Sequence, residues 1–404
     1  MTSRNLIPIL VGMMLLTGVC NTLLTKYQDN QCVLDCDNPD VTKRKHFEQP
    51  VLQSAQMFVG EMGCWLVVAI MALHRRITQR SSPTDQGYQA VNTTDNAVES
   101  TADIDGPSLK DDSLLKGFRI TLLALPTICD TCATTLMNVG LLLVAASIYQ
   151  MTRGALVLFV GILSVTILRR HLHMFQWLAL VGVVAGVAIV GLAGAIWPDE
   201  KAVHAAHKSD EGLSVTAKAI IGVLIIASAQ IFTATQFVLE EWILEHSTIE
   251  PIRVVAWEGV FGFIITVLLM IVLHLSVGQT EAGRHGPFDM VSGWNQMVSN
   301  KAIGISSILI MISIGGFNYF GLSVTRSVSA TSRSTIDTCR TLFIWVVSLG
   351  LGWETFKWLQ IVGFGLLVYS TLVYNGIVNP PFKSLEAGEE VEELLPEEPV
   401  ESRH

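Results

Sequence analysis

Apolar segments long enough to cross a bilayer recur throughout this chain, at about 6–26, 51–73, 118–142, 147–168, 174–197, 215–239, 254–275, 302–324, 334–352 and 356–378. A hydrocarbon core about 30 Å thick needs roughly 20 helical residues per crossing, so the pattern predicts ten transmembrane helices. Of the 404 residues, 50% are hydrophobic and only 15% are charged, where soluble domains carry about 25% charge. A soluble enzyme and a disordered scaffold are therefore excluded. Inside lipid the backbone must satisfy its own hydrogen bonds, and the expected class is an all-α polytopic membrane protein. The first segment follows Arg4 as a signal peptide would. No small-x-small cleavage site comes after it, and Asn21, Thr25 and Lys26 continue the run, so we read it as a retained span.

The net charge of −9 is local. Acidic residues crowd 81–112 and 386–401, and neither stretch has the apolar content to fold alone. The expected division is 1–76 (spans one and two with a lumenal loop), 77–116 (acidic, disordered, cytosolic), 117–200 (spans three to five), 201–214 (lumenal connection), 215–379 (spans six to ten) and 380–404 (acidic, disordered cytosolic tail). Arg4, Arg75-Arg76, Lys116, Arg119 and Arg169-Arg170 share one side if both termini are cytosolic, whereas Lys43-Arg44-Lys45 opposes that orientation. Asn92-Thr93-Thr94 would then be an unused glycosylation sequon. No nucleic-acid-binding surface is visible.

An internal repeat constrains the topology further. Phe175-x-Trp177-Leu178-x-x-Val181-Gly182 recurs as Phe356-x-Trp358-Leu359-x-x-Val362-Gly363, and Gly140-Leu141 recurs at the same offset as Gly321-Leu322. Each unit holds five spans, an odd number, so the two units must insert with opposite topology. That is the inverted-repeat plan of many secondary transporters, with substrate held at the midplane between halves.

Ionisable groups within a bilayer are expensive and need a reason to be there. Glu61 and Glu258 sit beside Gly60-x-x-Gly63 and Gly259-x-x-Gly262, where helices can approach closely. With Asp130 they are candidates for coupling or gating; the competing reading of the glutamates is a salt bridge to an arginine of another helix. Gln150 and Arg153 share a helix face, as do Arg333, Asp337 and Arg340. At the repeat offset Arg333 aligns with Thr152, beside Arg153. Arginine can grip a carboxylate or phosphate with two parallel bonds, so Arg153 and Arg340 are expected to form an anion clamp, with Gln150 and Asn318 as orienting donors. Asp337, Asn21 and Lys26 complete the substrate set. The competing reading has Asp337 neutralising one arginine while the other cations reach for the interface. Single amides, including Asn138, Gln230 and Gln236, serve packing equally well. Glu240-Glu241 are expected in solvent at the cytosolic end of span six.

Cys32 and Cys36 lie in a lumenal loop where a disulfide can form. Cys129-x-x-Cys132 is read as small-residue packing, and His171-x-His173 and His204-x-x-His207 are too sparse to hold a metal. No metal and no cofactor are expected. Phosphate-binding loop, zinc-protease and serine-hydrolase motifs are missing, which argues against an enzyme. Gly182-x-x-x-Gly186 allows close helix contact, within the bundle or in a homodimer. In the tail, Glu390 with Leu394-Leu395 has the acidic dileucine form that a sorting adaptor reads, pointing to lysosome or vacuole; Golgi stays open.

Several segments carry a family likeness. They are Met57-Phe-Val-Gly-Glu61, Pro126-Thr-Ile-Cys-Asp130, Ser147 through Ala155, Gln236 through Glu241, and Glu258 through Phe263. Phe317-Asn318 through Ser323-Val-Thr325, Ser329-Ala-Thr, Asp337, Arg340-Thr341 and Leu351-Gly-Trp353-Glu354 extend it. Over about 6–378 the chain resembles the drug/metabolite transporter superfamily, and more closely the F subfamily of the solute carrier 35 family, in its sixth-member branch. The resemblance implies a transporter-like fold and a nucleotide-sugar-like ancestry, without a substrate to carry over. The expected function is secondary-active transport or exchange of a small polar, anionic metabolite across an endomembrane by alternating access. Its partners are that solute and the lipid bilayer. Two alternatives stand beside it: a proton-linked carrier of an amine or cation, and a non-transporting scaffold that docks partners on its acidic loop and tail.

Overall fold

The computed structural model describes residues 3–81, 117–196, 215–280 and 286–378, apart from short stretches such as 37–44, 145–148, 150–151, 170–172 and 353–357. Gln150, Asn92, Glu390, Leu394, Leu395, His171 and the 201–214 connection lie outside the described residues.

The helices are α1 (Ser3–Asp29), α2 (Pro50–Met62), α3 (Cys64–Ser81), α4 (Ala124–Leu141), α5 (Leu156–Thr166), α6 (Met174–Ile196), α7 (Val215–Glu245), α8 (Pro251–Leu273), α9 (Met290–Ser299), α10 (Lys301–Ser327), α11 (Ala330–Gly350) and α12 (Trp358–Tyr374). Short 3-10 turns precede α4 and α5, and one π turn, His274–Gly278, extends α8. Proline opens α2 and α8, at the position where its missing N–H is one of the helix's unbonded groups anyway. Side chains cap others. Ala302 N–H donates to Asn300 Oδ1 at 3.0 Å and Ser332 N–H to Ser329 Oγ at 3.1 Å, satisfying donors that the first helical turn leaves free.

Among the described residues, six helical segments are long and apolar enough to cross a membrane: Leu6–Asp29, Pro50–Ile77, Ile120–Met137, Ile220–Glu245, Pro251–Gly278 and Lys301–Ser327. Three shorter apolar helices accompany them: Arg153–Thr166, Met174–Ile189 and Trp358–Tyr374. The 21-residue α11 is long enough but carries Arg333, Asp337 and Arg340. Span two is interrupted at Gly63, which separates α2 from α3. Two elements do not belong to the expected pattern. One is α9; the other is a small antiparallel pairing of β1 (Cys32–Leu34) with β2 (Lys45–His46). Beside β1, Cys32 and Cys36 are joined as a disulfide.

Polarity is distributed as a lipid solvent demands. Leu66, Leu224, Leu268, Val272 and Ile312 are exposed, while Glu61, Glu240, Glu258, Arg333, Asp337 and Arg340 are buried. Packing joins distant parts of the chain: α1 lies on α10, α4 on α7, α2 on α8 and α10, α4 on α8, and α6 on α12. Further contacts set α5 against α7 and α11, and α1 against α11. Close approach depends on glycine. A Cβ on Gly60 would lie 2.2 Å from the Met311 carbonyl oxygen, and one on Gly186 would lie 2.9 Å from the Gly363 carbonyl oxygen. The Gly182-x-x-x-Gly186 stripe is therefore occupied inside the bundle, by α12.

Gly60→Ala should force α2 and α10 apart at a cost of about 1–3 kcal/mol, read as a lower thermal midpoint in detergent. Gly12→Ala, where the added carbon would meet nothing within 4 Å, should leave that midpoint in place.

Candidate functional site

Two ion clusters occupy the interior, and α11 supplies a cation to each. The first is acidic. Glu61, Asp130, Gln236, Glu240, Glu258, Asn318 and Arg333 line a chamber completed by Phe58, Thr127 and Leu322, with about 10 Å³ of free space, the room of about one water. Asn318 Nδ2 donates to Glu61 Oε1 at 2.6 Å, and Gln236 Nε2 donates to Glu240 Oε1 at 2.9 Å. Arg333 Nη1 donates to Glu240 Oε2, and its guanidinium lies 4.0 Å over the Phe237 ring. Glu258 Oε1 has no hydrogen-bond partner among the described residues. Four carboxylates thus face one arginine. Glycine sets their closeness: a Cβ on Gly259 would sit 2.8 Å from Glu61 Cβ, and one on Gly262 would strike the Phe58 ring.

The second cluster is cationic. Asp337 lies between two arginines, 2.7 Å from Arg340 Nη2 through Oδ1 and 3.8 Å from Arg153 Nη2 through Oδ2. Arg340 lies over the Phe317 ring at 4.5 Å and Arg153 over Tyr149 at 5.9 Å. One carboxylate against two guanidinium groups leaves a net positive charge. Arg340 and Asp337 are buried, while the Arg153 side chain keeps 20% of its surface accessible. A positive, partly open site of this kind can bind an oxyanion, and the sealed acidic chamber can hold protons or a small cation.

The expected residues fall into three groups. Arg153, Asp337 and Arg340 come together; Glu61, Glu258 and Asp130 come together with Asn318, which orients a carboxylate and not the arginines. Asn21 and Lys26 join helices: Ser313 Oγ donates to Asn21 Oδ1 at 3.3 Å, and Lys26 Nζ reaches Ser348 Oγ at 3.4 Å. Glu240 and Glu241 require a correction. They are 1% and 2% exposed, not solvated. The helix α7 runs on to Glu245, well past the apolar run that set its expected end, and Glu241 Oε2 accepts the Ala330 N–H at 3.1 Å. A buried amide group also went unread: Gln28 donates to Ser307 Oγ at 2.8 Å and accepts from Gln53 and Gln56, each at 3.2 Å. Gln28 lies past the expected end of span one while Gln53 and Gln56 sit in span two, and neutral amides give no signal of meeting across spans. Among the described residues no cluster of three His, Cys, Asp or Glu side chains has the geometry to hold a metal ion.

Apolar helices facing outward around a polar, ion-lined interior define a multi-pass membrane protein. Comparison with known proteins takes this further. Residues 106–317 match the nucleotide-sugar transporter family. Solute carrier family 35 member F6 of Homo sapiens is 35% identical over 94% of this chain and 91% of its own length. An uncharacterized protein of Schizosaccharomyces pombe, C12G12.12, is 37% identical over 93% of this chain and 98% of its own length. A shorter match, 36% over 23% of this chain and 27% of the relative, links it to the UDP-N-acetylglucosamine transporter of Rattus norvegicus. The chain belongs to the nucleotide-sugar transporter family, within solute carrier family 35. It is a transporter of a small molecule and not an enzyme, a multi-pass protein of the endomembrane system.

Arg333→Leu should leave Glu240 charged and unpaired in the interior and cost roughly 3–5 kcal/mol, measured as a fall in thermal midpoint. The paired change Arg333→Leu with Glu240→Gln should recover part of the loss, because the carboxylate that Arg333 bonds directly no longer carries a charge.

Proposed function

We propose that this protein is a secondary-active carrier or exchanger of a small anionic metabolite, of nucleotide-sugar-like chemistry, working by alternating access. One observation carries the reading: Arg153 and Arg340 converge on Asp337, and among the described residues two guanidinium groups there meet one carboxylate. Rigid guanidinium forks suit the paired oxygens of a phosphate. One relative bears the name UDP-N-acetylglucosamine transporter, and such a molecule is a sugar joined to a nucleoside diphosphate.

Two inverted five-helix halves give this carrier its mechanics. The main helix contacts support a paired arrangement of halves, since most of them recur when each helix is replaced by its repeat partner. Exchanging α1 with α7, α2 with α8, α4 with α10, α5 with α11 and α6 with α12 turns the α1–α10 contact into α7–α4. It also turns α2–α10 into α8–α4 and α5–α7 into α11–α1, all of which exist. The pairs α2–α8, α5–α11 and α6–α12 map onto themselves. Helices related by a two-fold relation can rock about a site on its axis. Ten spans would leave both termini on one side, and the basic residues at the span ends favour the cytosol for them, for the 77–116 loop and for the 380–404 tail. A glycan on Asn92 in cells would reverse that orientation. The dileucine at Leu394-Leu395 with Glu390 favours delivery to lysosome or vacuole by a sorting adaptor. A homodimer would use a surface other than the α6 glycines, which α12 occupies.

A second reading draws on the acidic chamber. Glu61, Asp130, Glu240 and Glu258 around one arginine suit a proton-linked carrier of an amine or other cation. Counterflow into proteoliposomes with a panel of anionic and cationic solutes separates the two. For the anion carrier, Arg153→Ala should lower uptake by about tenfold or more, since it removes one partner of a charge cluster, whereas Glu258→Gln should change coupling to a proton gradient. Uptake of anions that is indifferent to Arg153→Ala would end the clamp; a preference for cations would favour the second reading.

A further inference from the structure

A second cavity, among the described residues, shares no residue with either ion cluster. It is a groove of about 320 Å³ between α11 and α12, lined by Trp345, Gln360, Phe364, Gly365, Tyr369 and Leu372 with neighbouring aliphatic residues. Its flanks are apolar and outward-facing, with Phe343, Val346, Trp358 and Val362 exposed. A groove in this position opens to lipid, where no bulk water can satisfy a polar group. Two side chains in its wall are nonetheless polar and unpaired. Gln360 is 1% exposed, and among the described residues neither its Nε2 nor its Oε1 has a partner; the Trp345 indole N–H has none either. Buried groups of this kind are normally bonded, and each exception asks for an explanation.

The polar groups sit toward one end. Gln360 lies near the start of α12 and Leu372 near its finish, about 18 Å apart at 1.5 Å per residue, slightly more than the ~15 Å depth of one leaflet. The wall between them is apolar, and Phe364 and Tyr369 give it flat faces. At Gly365 an added Cβ would meet nothing within 4 Å, so the floor there is open. No charged side chain lines the groove among the described residues, which disfavours a phosphate or ammonium head group.

We propose that this groove binds a sterol, a rigid one-leaflet lipid whose whole polar head is a single hydroxyl. That hydroxyl is both donor and acceptor. It would donate to Gln360 Oε1 and accept from Gln360 Nε2–H or the Trp345 indole, while the fused rings lie along Phe364, Gly365 and Tyr369. The proposal is independent of the transported solute.

The test uses the purified full chain in phosphatidylcholine nanodiscs with a photoreactive, diazirine-bearing cholesterol. Labelling should saturate, fall with excess unlabelled cholesterol, and map to peptides within 345–372. Gln360→Leu should raise the half-saturating concentration by about three- to tenfold, the loss of one or two neutral hydrogen bonds. Gly365→Trp should fill the floor and abolish the saturable label. Thermal midpoints without sterol identify folded variants, and either variant alone decides the matter. Labelling that rises linearly, spreads over other lipid-facing helices, or ignores both substitutions overturns the proposal. Disulfide-linked dimers of a Gly365→Cys variant that exclude the probe would assign the groove to a second copy and overturn it equally.

Discussion

The position of α11 follows from the cost of placing charge in hydrocarbon. Arg333, Asp337 and Arg340 recur at helical spacing on one face, so a single rotation of the helix turns all three away from lipid. Each then needs partners from elsewhere. Arg333 meets Glu240 and the Phe237 ring from α7, Arg340 meets Phe317 from α10, and Asp337 meets Arg153 from the turn before α5. Room for the long cations comes from missing side chains opposite them. A Cβ on Gly18 would lie 2.5 Å from Arg340 Cδ, and one on Gly321 would lie 2.9 Å from Arg333 Nε. Charge and glycine on different helices are thus parts of one solution, and three neighbouring helices take their places from it.

The carboxylates obey a related rule at the α2–α8 crossing. Gly259 and Gly262 let α8 approach until its backbone meets Glu61, Met62 and the Phe58 ring of α2, while Gly60 lets α2 lie against the α10 main chain on its other side. Glu61 and Glu258 beside these glycines are carried to the closest point of the crossing, where the remaining space suits about one water. Desolvation is therefore a result of helix geometry and needs no separate device. The same closeness makes the chamber sensitive to any relative movement of α2 and α8, since a small separation would admit solvent to four acids at once.

Much of this could be read before any coordinates. Span positions follow from length and apolarity, and α6, for instance, covers Met174–Ile196 where 174–197 was expected. Arg153, Asp337 and Arg340 declared themselves because charges in lipid demand partners. Glu240 and Glu241 did not, because an apolar window ends at the first acids it meets, and a helix that continues beyond the window looks like solvent. Arg333, three residues into α11, was the available clue: a buried cation needs an anion at its own depth. The amides of Gln28, Gln53 and Gln56 gave no such clue, since a neutral group meets no penalty large enough to dictate its neighbour. Helix α9 escaped because ten residues between spans carry too little periodicity to stand out; Asp289 caps it with a 3.3 Å bond from Ser292 N–H.

The proposed halves share most of their main helix contacts yet are unlike in charge. At the repeat offset Arg333 corresponds to Thr152, so the Glu240–Arg333 pair has no ionic counterpart in the first half. Where α7 ends in buried carboxylates, its partner α1 ends in the Gln28 amide cluster. The difference matters for any movement that parts these ends. Separating neutral amides leaves dipoles that water can satisfy cheaply. Separating a desolvated ion pair leaves two charges, and the cost stays high until water, a proton or a counter-ion reaches them. In the proposed carrier the two gates therefore cannot open with equal ease. The ionic one would yield only when water or a small cation reaches the four carboxylates around Arg333, so that side stays shut until the acidic chamber itself is entered.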